Sequence, residues 1–173
     1  RGLGDVYKRQ QWLSQPRPAT NRTGSDKPPL DGIKVVEIAT IIAAPLGSSF
    51  LADMGAEVIK IEPVGGDPFR GLLMGLGAAR VNGGKRSIGL NLKSDRGKEI
   101  VLDLIKSADV LIHNFRPGVP ERLGIGYTEV SSLNPKIIYL QSNGYGPDGP
   151  GAQRPSTHPI PGAARGGVSY QMG

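Results

Sequence analysis

Residues 33–61 read IKVVEIATIIAAPLGSSFLADMGAEVIKI, and the order of the predicted elements within them indicates the fold class. Its first six residues are mostly β-branched and predict a strand. Pro45 is typical of the start of a helix and Gly55 of its end, which predicts a helix over residues 45–54. Residues 56–61 form another short apolar run and predict a second strand. The stretch is therefore a strand–helix–strand unit.

Strands and helices continue to alternate beyond this unit. Ser94 is a residue type that often caps a helix N-terminus, and the apolar positions after it predict a helix through residue 107. Short apolar strands separated by helices are typical of a parallel sheet that is covered on both faces. We therefore expect an α/β fold, a Rossmann-like parallel sheet with helices on both faces. The other predicted elements are strands at 86–92, 109–112 and 136–140 and a short helix at 129–133.

The N-terminal residues differ in composition from the rest of the chain. Residues 1–28 contain many Gln, Pro, Asn, Thr and Ser residues and few apolar ones. Such a segment cannot bury enough apolar surface to offset the entropy that it loses on ordering. We expect residues 1–28 to be a disordered or non-native leader, and residues 29–173 to be the folded part of a chain that is truncated at its C-terminus.

The composition excludes several classes of protein. The formal net charge is +6, but residues 1–27 hold six basic residues against two acidic ones, so the remainder has no concentrated basic face. No apolar run approaches the ~20 residues that span a bilayer, and the start shows no signal-peptide pattern. Cysteine is absent, which excludes thiolate zinc sites and a cysteine nucleophile. We expect a cytoplasmic protein with no nucleic-acid partner, no membrane partner and no metal.

The turns after the predicted strands indicate a ligand site without a dinucleotide motif. Residues 39–47 lack the glycines that let backbone amides approach a pyrophosphate. Ligands of open α/β sheets nevertheless bind beyond the carboxyl ends of the strands. Several of these connections carry Arg and Lys beside small residues, a combination that suits a polyanionic ligand with a flat ring. The candidates on this ground alone include Arg70, Lys85 and Arg86.

A series of short motifs follows in order along residues 29–173. They are LDGIKVVE at 30–37, AAP at 43–45, LADMGAEVIKIE at 51–62, GD at 66–67, GKRS at 84–87, ADV at 108–110, NFRPG at 114–118 and GYG at 144–146. In this order they resemble the N-terminal part of the class III CoA-transferases, the CaiB/BaiF group. The resemblance implies that residues 29–173 are the N-terminal, Rossmann-like, CoA-binding part of that family's large domain.

The resemblance also implies a reaction and an assembly. Members of the family move CoA from an acyl-CoA donor to a carboxylic acid acceptor, through an aspartyl-CoA thioester. The nucleophilic aspartate is expected beyond Gly173, so we expect this fragment to be inactive alone. CoA and acyl-CoA are then substrates, and no tightly bound cofactor is implied. The full-length protein is expected to form an interlocked homodimer.

The resemblance assigns candidate CoA contacts by position. Ile42 and Ala43 would face the thioester end of CoA. Tyr145 is either a wall of the acyl site or an ordinary turn aromatic. The residues that would hold the CoA nucleotide are Leu90, Asn91, Leu92, Lys93, Asn114, Phe115, Arg116 and Arg122.

Two other functions stay open on the sequence. His158 lies where the racemase branch of the family carries a catalytic histidine, and a histidine can act as an acid or base near neutral pH. It therefore favours an α-methylacyl-CoA racemase or epimerase as the first alternative. The second alternative is a non-catalytic nucleotide-binding module.

Overall fold

The computed structural model describes residues 27–156. Most of the expected leader and the candidate His158 lie outside this range. Five strands form one sheet, and their bounds lie within two residues of the predicted ones at most ends. They are β1 (Lys34–Ile38), β2 (Glu57–Glu62), β3 (Arg86–Gly89), β4 (Val110–His113) and β5 (Ile138–Gln141).

The sheet is parallel throughout, in the order β3-β2-β1-β4-β5. In its register, Val36 of β1 lies opposite Ile59 of β2 on one side and Leu111 of β4 on the other. Strands β2 and β3 therefore lie on one side of β1, and β4 and β5 lie on its other side. The carboxyl ends of β1 and β4 flank the point where the strand order reverses, which is where open α/β sheets bind ligands. The predicted fold class is confirmed.

Helices occupy the connections, and three of them were not predicted. The first helix, α1, begins at Ala43 rather than at Pro45, because the amide of Leu46 donates to the Ile42 carbonyl at 2.7 Å and closes a turn around the proline. The helices are α1 (Ala43–Asp53), a 3-10 helix (Pro68–Gly75), α2 (Leu76–Asn82), α3 (Asp95–Lys106), α4 (Val119–Leu123) and α5 (Tyr127–Leu133). Of these, the sequence did not predict the 3-10 helix, α2 or α4.

The predicted cap of α3 is present. The Ser94 hydroxyl accepts a hydrogen bond from the Gly97 amide at 3.1 Å. Asp95 lies in the first turn and Lys106 in the last, so both charges complement the helix dipole. Strand β3 ends at Gly89 instead of continuing to residue 92, because residues 91–94 turn directly into this cap.

Each face of the sheet has its own hydrophobic core. On one face, Leu111 packs against Val101 and Ile105 of α3, and all three side chains are fully buried. On the other face, Val35 and its neighbours pack against α1. Burial of each such aliphatic side chain stabilises the fold by about 1.5–3 kcal/mol. Helices therefore cover both faces, as the sequence predicted.

Within residues 27–156, every helix is too short or too polar to cross a membrane.

Candidate functional site

A cavity of about 540 Å³ opens at the carboxyl ends of β1, β2 and β3, next to the connection that follows β4. Its volume lies in the range of small-molecule sites. Most of the wall is aliphatic or aromatic, with few polar groups. The lining residues are Ile38, Ala39, Thr40, Ile61, Glu62, Pro63, Val64, Leu90, Asn91, Leu92, Lys93, Phe115, Val119 and Leu123.

The cavity brings together five of the residues that the sequence singled out. Leu90, Asn91, Leu92 and Lys93 form its wall after β3, and Phe115 forms its wall after β4. Segments 25 residues apart in the chain thus meet at one site. Arg116 and Arg122 are exposed and lie outside the lining, on the same connection as Phe115.

The turn that carries Asn91 is fixed by its own hydrogen bonds. The Asn91 carbonyl accepts from the Ser94 hydroxyl at 2.8 Å, and its side-chain oxygen accepts from the Lys93 amide at 3.1 Å. Gly97 of α3 lies so close that a Cβ there would be 2.1 Å from the Asn91 carbonyl oxygen. A glycine at this position is therefore required for the helix to approach the turn.

Phe115 is held by a histidine at the end of β4. Its amide donates to Nδ1 of His113 at 3.3 Å, and the two rings stack at 5.6 Å. Nε2 of His113 lies 2.9 Å from the Tyr139 hydroxyl, which donates in turn to the Ile125 carbonyl at 3.1 Å. Nε2 therefore carries the proton. Burial lowers the pKa of His113 to about 4, so the imidazole is neutral at physiological pH.

Glu62 places a carboxylate in the cavity wall, and Arg70 holds it there. The guanidinium donates from Nε to one carboxylate oxygen of Glu62 at 2.8 Å and from a second nitrogen to the other. The hydrogen bond from Arg70 holds the pKa of Glu62 below its ordinary value. Arg70, a candidate for binding an anion, thus has its guanidinium on a protein carboxylate. Its side chain remains partly exposed.

Lys85 lies on the other face of the sheet, in the protein interior. Its ammonium is 2.6 Å from Glu37 and donates to the Pro45 carbonyl at 2.6 Å, with only 1% of the side chain exposed. Burial lowers its pKa. Arg86 forms an ion pair with Glu57 at the edge of the sheet. Neither of these two candidates lines the cavity.

A buried charged network, which the sequence reasoning missed, surrounds Lys85. We define it as Glu37, Lys60, Asp67 and Lys85. The Lys60 ammonium lies 2.7 Å from Glu37 and 3.0 Å from Asp67, and the side chains of all four are at most 1% exposed. Two negative charges balance two positive ones, and the Ser48 hydroxyl also donates to Glu37. The available signal was a charged residue in the middle of each of two apolar strands.

The turn between β1 and α1 lies between the network and the cavity. Ile41 has φ of 71°, in the left-handed region that β-branched residues rarely adopt. Such a conformation costs on the order of 1–3 kcal/mol and persists only where the surroundings hold it. Ile42 packs on the Phe69 cluster, and Ala43 is exposed at the first position of α1.

The Asn114 side chain forms two hydrogen bonds with this same turn. Its side-chain nitrogen donates to the Thr40 carbonyl at 2.9 Å, and its side-chain oxygen accepts from the Thr40 amide at 3.2 Å. The carboxyl ends of β1 and β4 are thereby linked. Tyr145, another candidate, is half-buried after β5 with its ring near Gly151, and it does not line the cavity.

The arrangement can accept a flat, largely apolar group between the walls after β3 and β4. Lys93 stands in the wall, and exposed arginines follow Phe115 along the chain, so anionic groups of the same ligand would meet cations outside the apolar part. The potential nucleophiles among the described residues of the cavity are the hydroxyl of Thr40, the amine of Lys93 and the carboxylate of Glu62, which Arg70 already binds. The cavity is therefore suited to binding.

The chain is similar to proteins of one known family. The model of CoA-transferase family III matches residues 30–173. An acyl-CoA transferase of Fusarium pseudograminearum is 42% identical over 170 residues, which cover 90% of this chain and 37% of the relative. The acetyl-CoA:oxalate CoA-transferase of Acetobacter aceti is 45% identical over 136 residues, covering 75% of this chain and 35% of the relative.

A solved structure is similar in the same way. The crystal structure of a CaiB/BaiF family protein from Brucella suis matches with a TM-score of 0.77 and 36% identity, over 82% of this chain and 40% of that one. The chain thus spans little more than a third of the length of the relatives that it matches.

Proposed function

Since this chain belongs to CoA-transferase family III, we propose that the full-length protein transfers CoA from an acyl-CoA donor to a carboxylic acid acceptor. The main support for the proposal is the family match over residues 30–173. A cavity of ligand size at the carboxyl ends of the strands supports it further. CoA and its thioesters are substrates in this reaction, and no tightly bound cofactor is needed.

The nucleotide of CoA is proposed to occupy the cavity. Its adenine is a flat ring that fits between the walls formed by Leu90 and Phe115. Lys93, Arg116 and Arg122 would then pair with its phosphates, since guanidinium and ammonium groups bind phosphate by charge-assisted hydrogen bonds. Ile42 and Ala43 would face the thioester end.

The transfer itself is proposed to use an aspartate that lies beyond Gly173. Its carboxylate attacks the thioester carbonyl and releases CoA thiolate, leaving the acyl group joined to the aspartate as an anhydride. The thiolate then attacks the aspartyl carbonyl, which forms the aspartyl-CoA thioester and releases the donor acid as a carboxylate. The same steps in reverse, with the acceptor acid, return CoA. Residues 1–173 alone are therefore expected to show no turnover.

The test uses the full-length protein with acetyl-CoA and oxalate, the pair in the name of the Acetobacter aceti relative. Formation of a new acyl-CoA, measured by liquid chromatography, is the expected result, and other acids follow if oxalate is not accepted. Lys93→Glu should weaken CoA binding about tenfold, because a cation beside a phosphate becomes an anion. Lys136→Glu is the matched control, since this exposed lysine precedes β5 at the opposite edge of the sheet. Equal losses in both variants would count against the proposed cavity.

Two further proposals accompany this one. The full-length protein is proposed to form an interlocked homodimer, which size-exclusion chromatography with light scattering would detect. His158 favours racemase chemistry as a second function. Incorporation of solvent deuterium at the α-carbon of a 2-methylacyl-CoA, without acid-dependent CoA exchange, would support the racemase and exclude the transferase.

A further inference from the structure

Ile41 occupies an unfavourable backbone conformation at the point where β1 leads into α1. Its φ of 71° is the one positive value among the non-glycine residues that the structure describes. A glycine would adopt this conformation freely, but the sequence has isoleucine there. Neighbouring side chains must therefore hold the turn in place, and the hydrogen bonds of the turn identify which residues do so.

Asp67 is one of these side chains. Both of its carboxylate oxygens lie 3.2 Å from the Ile41 nitrogen, whose N–H they accept. The Asp67 carboxylate is itself fixed by the Lys60 ammonium at 3.0 Å and by the Phe69 amide at 2.9 Å. Lys60 also donates to the Ala39 carbonyl at 2.6 Å, so the residues on both sides of Thr40 are bound to one buried ion pair.

Asp67 cannot contact a ligand in the cavity. Its side chain is fully buried, and it lies outside the cavity lining. Its hydrogen bond to Ile41 is made on the N-terminal side of Ile42 and Ala43. Any effect of Asp67 on a bound CoA thioester must therefore pass through the conformation of this turn.

We propose that Asp67 is a positioning residue for CoA transfer, which holds Ile41 in the left-handed conformation and so sets Ile42 and Ala43 against the thioester end of CoA. This inference rests on the proposed function. Without the carboxylate, Ile41 relaxes toward negative φ and redirects the residues that follow. Displacement by about 1 Å of groups that position a reacting centre costs about a hundredfold in rate. The nucleotide walls after β3 and β4 keep their own hydrogen bonds and stay in place.

The experiment compares turnover with nucleotide binding in the full-length protein. Asp67→Asn should lower kcat with acyl-CoA by about a hundredfold. Binding of adenosine 3′,5′-bisphosphate, the nucleotide part of CoA, should change by less than about twofold, because that part lies against other walls. Asp67→Glu is the second variant. It keeps the charge that balances Lys60 but moves the carboxylate by one methylene, and it should lose kcat in the same way.

Rescue by glycine separates positioning from general stability. The double variant Asp67→Asn/Ile41→Gly should recover at least about tenfold in kcat, because glycine adopts positive φ without a hydrogen bond to hold it. The matched control is Asp67→Asn/Ile42→Gly, which places the glycine one residue later, where φ is −122°. This control should show no recovery.

The outcomes distinguish this inference from the proposed function. A wild-type protein that neither binds nor turns over acyl-CoA overturns both. An active wild type whose Asp67→Asn variant is not rescued by Ile41→Gly overturns the inference alone. The inference alone is also overturned if nucleotide binding falls in parallel with kcat in both Asp67 variants, since a merely structural role predicts that pattern.

Discussion

The two faces of β1 differ in polarity and in how the space beside them is filled. Glu37 points into a face where every charge has a partner, and the side chains of the network are at most 1% exposed. Ile38, the next residue, points to the other face and lines an apolar cavity of about 540 Å³. The charged side is filled by the protein itself, while the apolar side is left open. Charge in this domain thus serves the fold at one face, and the ligand space at the other is built from aliphatic and aromatic walls.

Removal of Glu37 from the buried charged network should have the strongest effect on stability. Glu37→Ala leaves the ammonium groups of Lys60 and Lys85 buried without their shared carboxylate. Loss of one partner from a buried ion pair destabilises a fold by about 3–5 kcal/mol. The free energy of unfolding, from urea denaturation, measures it. The control is Glu99→Ala, which removes a carboxylate from an exposed pair with Arg96 and should cost less than about 0.5 kcal/mol.

An equal, small loss in the free energy of unfolding of both variants would contradict the idea that the buried network stabilises the fold. It would mean that water reaches the network and that its burial contributes nothing beyond a surface ion pair.

The second effect is a pH dependence on the cavity side. The pKa of His113 is about 4 in the folded protein, because burial disfavours the imidazolium, against an ordinary value of 6.5. The negative charge of Glu121 acts in the opposite direction and raises the pKa, but burial has the larger effect. The unfolded chain therefore binds the proton more readily between these values, and stability falls as the pH drops from 6.5 toward 4. The loss attributable to His113 over this window is on the order of 3 kcal/mol.

His113→Gln tests this assignment. The variant should be less stable at pH 7, because Phe115 and Tyr139 lose a hydrogen-bonding partner, but its stability should decline less steeply with acid. Urea denaturation at several pH values between 4.5 and 7 gives the two slopes. Parallel curves for the wild type and the variant would assign the acid sensitivity to other groups.

The smallest effect concerns the wall of the cavity on the apolar face of β1. Val64 lines the cavity and is 76% exposed, so it can be replaced without disturbing the core. Val64→Asp places a negative charge in the wall of the proposed nucleotide cavity, where it repels the phosphates, and should weaken CoA binding about fivefold at low salt. Val64→Asn is the neutral control of the same shape. Isothermal titration of the full-length protein measures both, and equal affinities would place the phosphates elsewhere.

The sequence pointed to some of the residues that line the cavity, but it gave no expectation of the buried charged network. Leu90 and Phe115 were assigned to the CoA site by the family resemblance, and both line the cavity. Lys85 was singled out as a basic residue in a connection of the predicted sheet, yet its side chain turns inward to Glu37. A local pattern cannot tell these cases apart, because the direction of a lysine side chain depends on which carboxylate the fold places within its reach.

The strands and helices likewise divide into those that local sequence features predict and those that they do not. Periodicity, the proline near the start of α1 and the serine cap of α3 located the five strands and three of the six helices within residues 27–156, since these features act within a few residues of the chain. The 3-10 helix Pro68–Gly75 and the short helix Val119–Leu123 carry weaker local signals and were missed. Phe69 of the 3-10 helix packs beside Ile41 and Leu46, and Leu123 packs against the core around Leu111, so both helices have side chains in contact with residues that are distant in sequence.

The sequence was enough to predict the alternation of strands and helices, the parallel α/β class, the family, and residues 90–93 and Phe115 among those that line the cavity. These depend on local propensity, apolar periodicity and motif order, all of which are written along the chain. It takes the folded structure to show that Asp67 and Asn114 hold the turn after β1, and that Lys60 and Lys85 share one buried carboxylate. Those contacts join residues 23 to 74 positions apart, and the order of the strands is what brings them together.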